Sequence, residues 1–257
     1  MWKAAFKQKV MRGVPAPIAE VLQHFKRRLP NREIYQSCVR GKKGLEIGGP
    51  SILFRTELPL YEQAGSLDGL NFSGDTVWEG SITKGETYAY CPGRKGFQFI
   101  SEATDLAQIA AGTYDFILSS NCLEHVANPI RALFEWKRVL RPGGALILVV
   151  PNKANNFDHR RPFTSFEHLV QDYESGVSER DLTHVDEILA LHDLSMDPQA
   201  GSPEAFRARS LDNFSNRCLH HHVFEPETVA KTLGYTGFTL IGTTVTAGDF
   251  FSVSRRG

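Results

Sequence analysis

Between Tyr114 and Asn152 the apolar positions change period twice. Tyr114 to Leu118 is a short aromatic and aliphatic run after the breaker Gly112, as expected of a buried parallel strand. The small polar residues Ser119, Ser120 and Asn121 follow. Asn128 stands where a helix N-cap is needed, with Pro129 at the first helical position. Ile130, Leu133, Phe134, Lys137 and Leu140 then repeat at helical spacing, and Trp136 and Val139 widen the apolar stripe. Arg138 and Arg141 suit the negative end of that helix, and Pro142-Gly143-Gly144 stops it. Ala145 to Val150 is a second apolar strand, too short to span a membrane.

The same reading extends over the chain. Pro15 to Leu29 is predicted as a helix with Ile18, Val21, Leu22, Phe25 and Leu29 on one face. Gly44 to Ile47 reads as a strand entering the turn Gly48-Gly49-Pro50. Ser66 to Phe72 and Phe97 to Ser101 are expected to be strands, and Asp105 to Ala111 a short helix. Pro226 to Leu233 is a last helix. Phe238 to Thr246 and Phe250 to Ser254 form a hairpin about Ala247-Gly248-Asp249, which reverses one strand. From Asn152 to His222 the strand pattern stops, and the chain is polar, His-rich and helical in pieces. Alternating strands and helices imply an α/β fold: a doubly wound, mostly parallel seven-stranded sheet, Rossmann-like, with one reversed strand. The expected organisation is a single domain over 1–257, with a helical extension over 1–40 and a His-rich insertion or lid over 152–222, after the fifth strand. In such sheets ligands bind outside the carboxyl ends of the strands.

Composition narrows the function. Lys and Arg total 29 and Asp and Glu total 29, so the formal net charge is zero, and no basic excess argues for nucleic acid as a partner. Cys38, Cys91, Cys122 and Cys218 form no CxxC pair, which favours free thiols in a reducing cytoplasm. No transmembrane run, signal peptide or lipidation motif is expected. Trp2, Phe6, Val10 and Met11 alternate with Lys3, Lys7, Lys9 and Arg12, a pattern compatible with weak contact at an anionic membrane surface or with a docking terminal segment. Nothing in the sequence sets an oligomeric state.

Gly48 and Gly49 directly after the first strand would let the backbone approach a ligand closely, though the same turn is common in α/β proteins of any function. The turn lacks the GxGxxG spacing, which argues against a nicotinamide enzyme. Taken in order, the motifs are more specific: Leu45-Glu46-Ile47-Gly48-Gly49, Leu67 to Ser73, Ser101-Glu102-Ala103-Thr104-Asp105, Tyr114 through Ser120, Leu123-Glu124-His125-Val126, Arg141-Pro142-Gly143-Gly144, and His222 to Glu227 followed by Gly237-Phe238. In this sequence of motifs the chain resembles the class I S-adenosylmethionine-dependent methyltransferases, in their small-molecule, methyltransferase type 11-like branch, over roughly Lys42 to Asn152 and again from His220. The resemblance implies S-adenosylmethionine as cofactor, held by Glu46, Gly48, Gly49, Asn71, Glu102, Ala103, Ser120 and Asn121. It implies methyl transfer to oxygen or nitrogen of a small-molecule or sugar-like acceptor. The chain departs from the family pattern at Pro50, where a further glycine is usual, and at Asn71, a neutral side chain where an acid usually binds the ribose.

Methyl transfer needs in-line alignment and, for a hydroxyl or amine acceptor, a base. His125 is one candidate base, with a purely structural role at a helix start as the alternative. The stretch Phe157 to Phe163 leaves the fifth strand at the binding edge and supplies Asp158 with His159 as an acid–base pair. Arg160 and Arg161, together with His222, are candidate acceptor-binding residues, and ion pairing is the alternative for the two arginines. His168, His184, His192 and His220 to His222, among Asp181, Asp186 and Glu187, suit either proton transfer or a divalent metal. Their spacing matches no HExxH or other compact zinc signature, and no metal site is assigned from sequence. Two further readings stay open: a methyltransferase-like binding or regulatory protein without turnover, suggested by Pro50 and Asn71, and a metal-dependent hydrolase built on the insertion.

Overall fold

The computed structural model describes residues 29–257; the predicted helix from Pro15 and the amphipathic N-terminal segment lie outside the described residues, except for Leu29. Within that range the first helix, α1, is Arg32–Val39.

Strand β1 (Lys43–Ile47) pairs in parallel with β2 (Ser66–Asn71) on one side and with β7 (Tyr114–Ser120) on the other. Strand β8 (Leu140–Pro151) extends the parallel run beyond β7, and β6 (Arg94–Ile100) extends it beyond β2. The hairpin of β9 (Phe238–Val245) and β10 (Asp249–Arg256) adds the reversed strand β10 between β8 and β9. The expected topology is therefore present, with one addition: β5 (Gly85–Cys91) lies antiparallel on β6, making the sheet eight-stranded.

Side chains of these strands divide by period two between two cores. Leu45, Ile47, Ile117, Leu146 and Leu148 face the helix Pro129–Val139 (α3) and the last long helix, Pro226–Tyr235, in one cluster. Phe116, Leu118, Ala145, Ile147 and Val149 face α1, the short helix α2 (Ile52–Thr56) and three tyrosines in the other. Asn128 caps α3 by accepting from Arg131 N–H at 3.0 Å, and Pro129 opens it.

The predicted helix over Asp105 to Ala111 is instead a series of turns. Leu106 and Ile109 are buried at the spacing that suggested a helix, but their carbonyls accept from the Arg138 guanidinium at 2.8 and 2.9 Å, and Leu106 N–H donates to Glu135. Side chains of α3 thus supply the hydrogen bonds that a helix would have supplied internally.

Over 152–222 the chain forms four short helices, Phe166–Glu174 (α4), Val185–Leu191 (α5), Pro203–Leu211 (α6) and Asn213–Asn216 (α7). They enclose a small apolar cluster of Val185, Ile188, Ala200, Phe206 and Leu219. Polar pairs accompany it, among them Arg209 with Asp197 at 2.9 Å and Arg161 with Glu187 at 2.8 Å. Among the described residues no helix is long and apolar enough to cross a membrane.

Candidate active site

A cavity of about 560 Å³ opens at the carboxyl ends of β1, β2, β7 and β8 and is roofed by the insertion. Its first wall is the glycine turn. Gly48 adopts φ +75°, a conformation natural to glycine, and an added Cβ would lie 2.7 Å from Cys122 Sγ. Asn71 donates its side-chain amide to Gly49 O at 2.9 Å and ties the turn to the end of β2. Glu46 lies beneath the turn rather than in the cavity. Its carboxylate accepts from Tyr88 O–H at 2.6 Å, Tyr61 O–H at 2.9 Å and Ser51 N–H at 3.0 Å. Burial outweighs these hydrogen bonds and raises its pKa to about 7.

The second wall lies at the tips of β2 and β6. Phe72, Glu102 and Ala103 line it. Trp136 fixes Ala103 by donating its indole N–H to the Ala103 carbonyl at 2.9 Å. Arg217 reaches in from the insertion, pairs with Glu102 and Glu179 at 2.6 Å each, and packs its guanidinium over Phe72. The insertion is therefore bound directly to this wall.

The third wall carries the titratable groups. Ser120, Asn121, Cys122, Glu124 and His125 follow β7. Asn121 is in the left-handed region at φ 48°, and its side-chain oxygen is buried without a hydrogen-bond partner. Burial pushes the Cys122 thiol up to about 12, so it is no nucleophile. Glu124 is buried, neither of its oxygens accepts a hydrogen bond, and burial raises its pKa to about 7. Beside it, His125 Nδ1–H donates to Leu219 O at 2.9 Å; burial, reinforced by His220, holds the imidazole neutral with Nε2 free of its proton. The His220 ring stands edge-on to His125 with centroids 4.6 Å apart. Its Nδ1 lies 2.5 Å from Asp158 Oδ2, and Asp158 Oδ1 accepts from Arg161 at 2.9 Å. Burial disfavours charge on both members of this pair, but their mutual attraction prevails: Asp158 is held below the usual carboxylate range and His220 above the usual imidazole value. Opposite, Trp78 overhangs the cavity from the turn between β3 (Asp75–Thr76) and β4 (Gly80–Ser81), and stands edge-on to His125 at 5.3 Å.

Most of the strand-end residues expected from sequence meet at this cavity: Gly48, Asn71, Glu102, Ala103, Ser120, Asn121 and His125 line it. Glu46 and Gly49 support it from behind. The residues after β8 divide differently from expectation. Asp158 pairs with His220 rather than with its neighbour His159, whose Nε2 contacts Asp193 at 2.9 Å on the outer surface of the insertion. Arg160 binds the same Asp193 oxygen at 2.8 Å. Arg161 is 1% exposed and donates to Asp158, Glu187 and the carbonyls of His220 and His221, which leaves it turned away from the cavity. His222 is buried near Ala127 O at 3.3 Å. Arg217 and Trp78 are cavity residues to which the sequence points in no way, whereas Glu124 stands only within a motif and His220 only within the histidine set suited to proton transfer or a metal. The unusual His220-His221-His222 triplet is what marks His220 in the sequence.

Residues 81–148, from β4 to β8, match the model of a methyltransferase domain. Over that stretch, about a quarter of its length, the chain is similar to this domain. The chain shares its fold with an S-adenosylmethionine-dependent methyltransferase from Mesorhizobium loti, at 14% identity over 88% of this chain and 96% of that one, with a TM-score of 0.52. A methyltransferase structure from Aquifex aeolicus is 14% identical over 89% of this chain and 90% of its own, with a TM-score of 0.48. No curated protein matches the chain in sequence.

Proposed function

We propose that the protein transfers a methyl group from S-adenosylmethionine to oxygen or nitrogen of a small, sugar-like or amine-bearing acceptor. The observation that carries this reading is the Asp158–His220 pair, which opens onto the same cavity as the glycine turn and the tips of β2, β6 and β7. The residues present fit an adenosyl-amino acid. Gly48 forms a cradle that a Cβ would fill, Glu102 offers a carboxylate at the tip of β6, and Asn121 has a buried side-chain oxygen without a partner. Gly48, Asn71, Glu102, Ala103, Ser120 and Asn121 would hold the cofactor, with Glu46 supporting the turn from below. When bound, the cofactor supplies an activated methyl on a sulfonium.

The chain's own work is alignment, proton removal and exclusion of water. In its neutral form, with Nδ1–H donated to Asp158, His220 presents Nε2 as the acceptor of the proton lost by a hydroxyl or ammonium-derived nucleophile. Asp158 then stabilises the imidazolium that results. Glu124 and neutral His125 lie beside this path. Glu57, Glu79 and Glu179, with the face of Trp78, give the remaining wall a carboxylate-rich character suited to hydroxyl or amine donors. Segment 152–222 acts as the lid, joined to the cofactor wall through Arg217. Four free thiols accord with a cytoplasmic setting.

The first test is thermal stabilisation by S-adenosylhomocysteine, since a ligand that binds only the folded state raises Tm. A screen of sugar and amine acceptors with methyl-labelled cofactor then tests transfer. Binding without transfer to any acceptor class would favour a regulatory protein, and no Tm shift at millimolar ligand would count against the proposal.

A further inference from the structure

The insertion holds a second group of chemistry-bearing side chains that the methyltransferase reading does not use. His168 and Asp172 stand one turn apart on α4, His184 immediately precedes α5, and His222 lies on the segment that returns to the sheet. One donor atom from each of the four falls within 4.8 Å of all the others.

The contacts inside the group cannot all be hydrogen bonds. His168 Nε2 is 3.1 Å from His184 Nε2 and 3.2 Å from Asp172 Oδ2. A ring nitrogen carries at most one proton, so His168 can donate to only one of these neighbours and turns a lone pair, or nothing, to the other. Asp172 Oδ2 is buried without a hydrogen-bond partner, and it lies 3.2 Å from His168 Nε2 and 3.8 Å from His222 Nε2.

A single cation among the four resolves this arrangement. A tetrahedral ion with bonds of 2.0–2.2 Å separates its ligand atoms by about 3.3–3.6 Å. The separations here are 3.1 Å for His168–His184, 3.2 Å for His168–Asp172 and 3.8 Å for Asp172–His222. Three imidazoles and a carboxylate form a donor set suited to zinc, and four protein ligands make a closed, structural site. His168 and His184 are only half-buried, which leaves an entry path.

We propose that His168, Asp172, His184 and His222 bind one divalent transition-metal ion, zinc by their donor set, which staples α4, the start of α5 and the returning segment of the insertion into one unit. The ligands come from three separate pieces of a segment whose apolar core is small, so the ion would supply long-range order that the core does not.

The test is metal analysis of the purified full-length protein, followed by cobalt(II) titration of chelator-treated protein. The expected result is one equivalent of bound metal, a tetrahedral cobalt spectrum, and a lower Tm after chelation that zinc restores. His168→Asn and His184→Asn should each weaken cobalt binding by more than about 100-fold. A wild-type protein that takes up less than about a tenth of an equivalent and shows no tetrahedral band overturns the proposal, and that measurement needs no variant to fold. So does metal binding that survives His168→Asn and His184→Asn but disappears in Glu124→Gln, because Glu124, His125 and His220 form a separate three-ligand group at the cavity.

Discussion

His220 Nδ1 and Asp158 Oδ2 meet at 2.5 Å although 62 positions separate them in the chain. The contact fixes which nitrogen of His220 faces the cavity. Asp158→Asn preserves the shape of the side chain but removes the charge that stabilises the imidazolium. The expected outcome is a fall in kcat of about 100-fold with little change in acceptor KM. Calorimetry should find S-adenosylhomocysteine affinity essentially unaltered, because Asp158 is outside the cavity wall. The comparison with His159 is direct: His220→Asn should abolish turnover, and His159→Ala, on the outer surface, should not.

Arg217 is the one cation joining Glu102 of the cofactor wall to Glu179 of the insertion among the described ion pairs. Removing one partner of a buried pair leaves the other charge uncompensated, at about 3–5 kcal/mol. Arg217→Ala is therefore expected to lower Tm by several degrees and to weaken S-adenosylhomocysteine binding by about tenfold or more. Arg217→Lys, which cannot span both carboxylates with a planar fork, should recover only part of either property. Differential scanning fluorimetry with and without ligand measures both effects.

At Gly48, positive φ and the proximity of Cys122 Sγ combine. Gly48→Ala is expected to destabilise the protein by about 1–3 kcal/mol and to reduce cofactor affinity beyond that loss of fold stability. Double substitution with Cys122→Ala removes the Sγ contact but leaves Cys122 Cβ at 3.0 Å and the φ strain in place, so only part of the affinity returns. Ligand titration of the two variants separates the contributions.

Glu46 gives the fold a pH dependence of known sign. Its pKa is 4.5 in the ordinary state and about 7 in the fold, so folding favours the protonated form. The stabilisation is complete below pH 4.5 and is lost as pH rises toward and through 7, by roughly 3 kcal/mol in total. Glu46→Gln removes this proton-linked change. The expected observation is a wild-type stability that falls relative to Glu46→Gln from pH 4.5 to pH 8 in urea titrations. Glu124 and Glu179, also raised to about 7, contribute equally to both proteins and cancel in the comparison.

The central sheet was legible because its signals are local. Ile117 and Leu146 sit in continuous apolar runs, Leu45 and Ile47 precede a glycine turn, and Asn128-Pro129 and the Pro142 turn bracket α3 within the same stretch as Ile117 and Leu146. Strand β5 lacks such a run: in Gly85–Cys91 only Tyr88 and Tyr90 are buried, with exposed Ala89 between them and Glu86 and Thr87 before them, the half-buried alternation of an edge strand. The stretch from Asp105 misled for another reason. Its apolar spacing is helical, but Arg138 on a distant helix captures its carbonyls. At the site, residues that follow strands were placed by the topology itself. His220, Arg217 and Trp78 come from the insertion and from a turn, and their approach to the cavity depends on contacts such as Asp158–His220 that no local pattern encodes.

The saturated guanidinium of Arg161 bears on how this site could diversify. By holding Asp158, Glu187 and the carbonyls of His220 and His221 together, it makes the proton-handling wall a rigid inheritance, in which a change at one residue disturbs the rest. Arg55, Trp78, Glu79 and Met196 also line the cavity, and among the described residues no hydrogen bond or ion pair joins these four to one another. New acceptor preferences are therefore to be written there, and a library confined to those four positions should shift selectivity while sparing the folded frame.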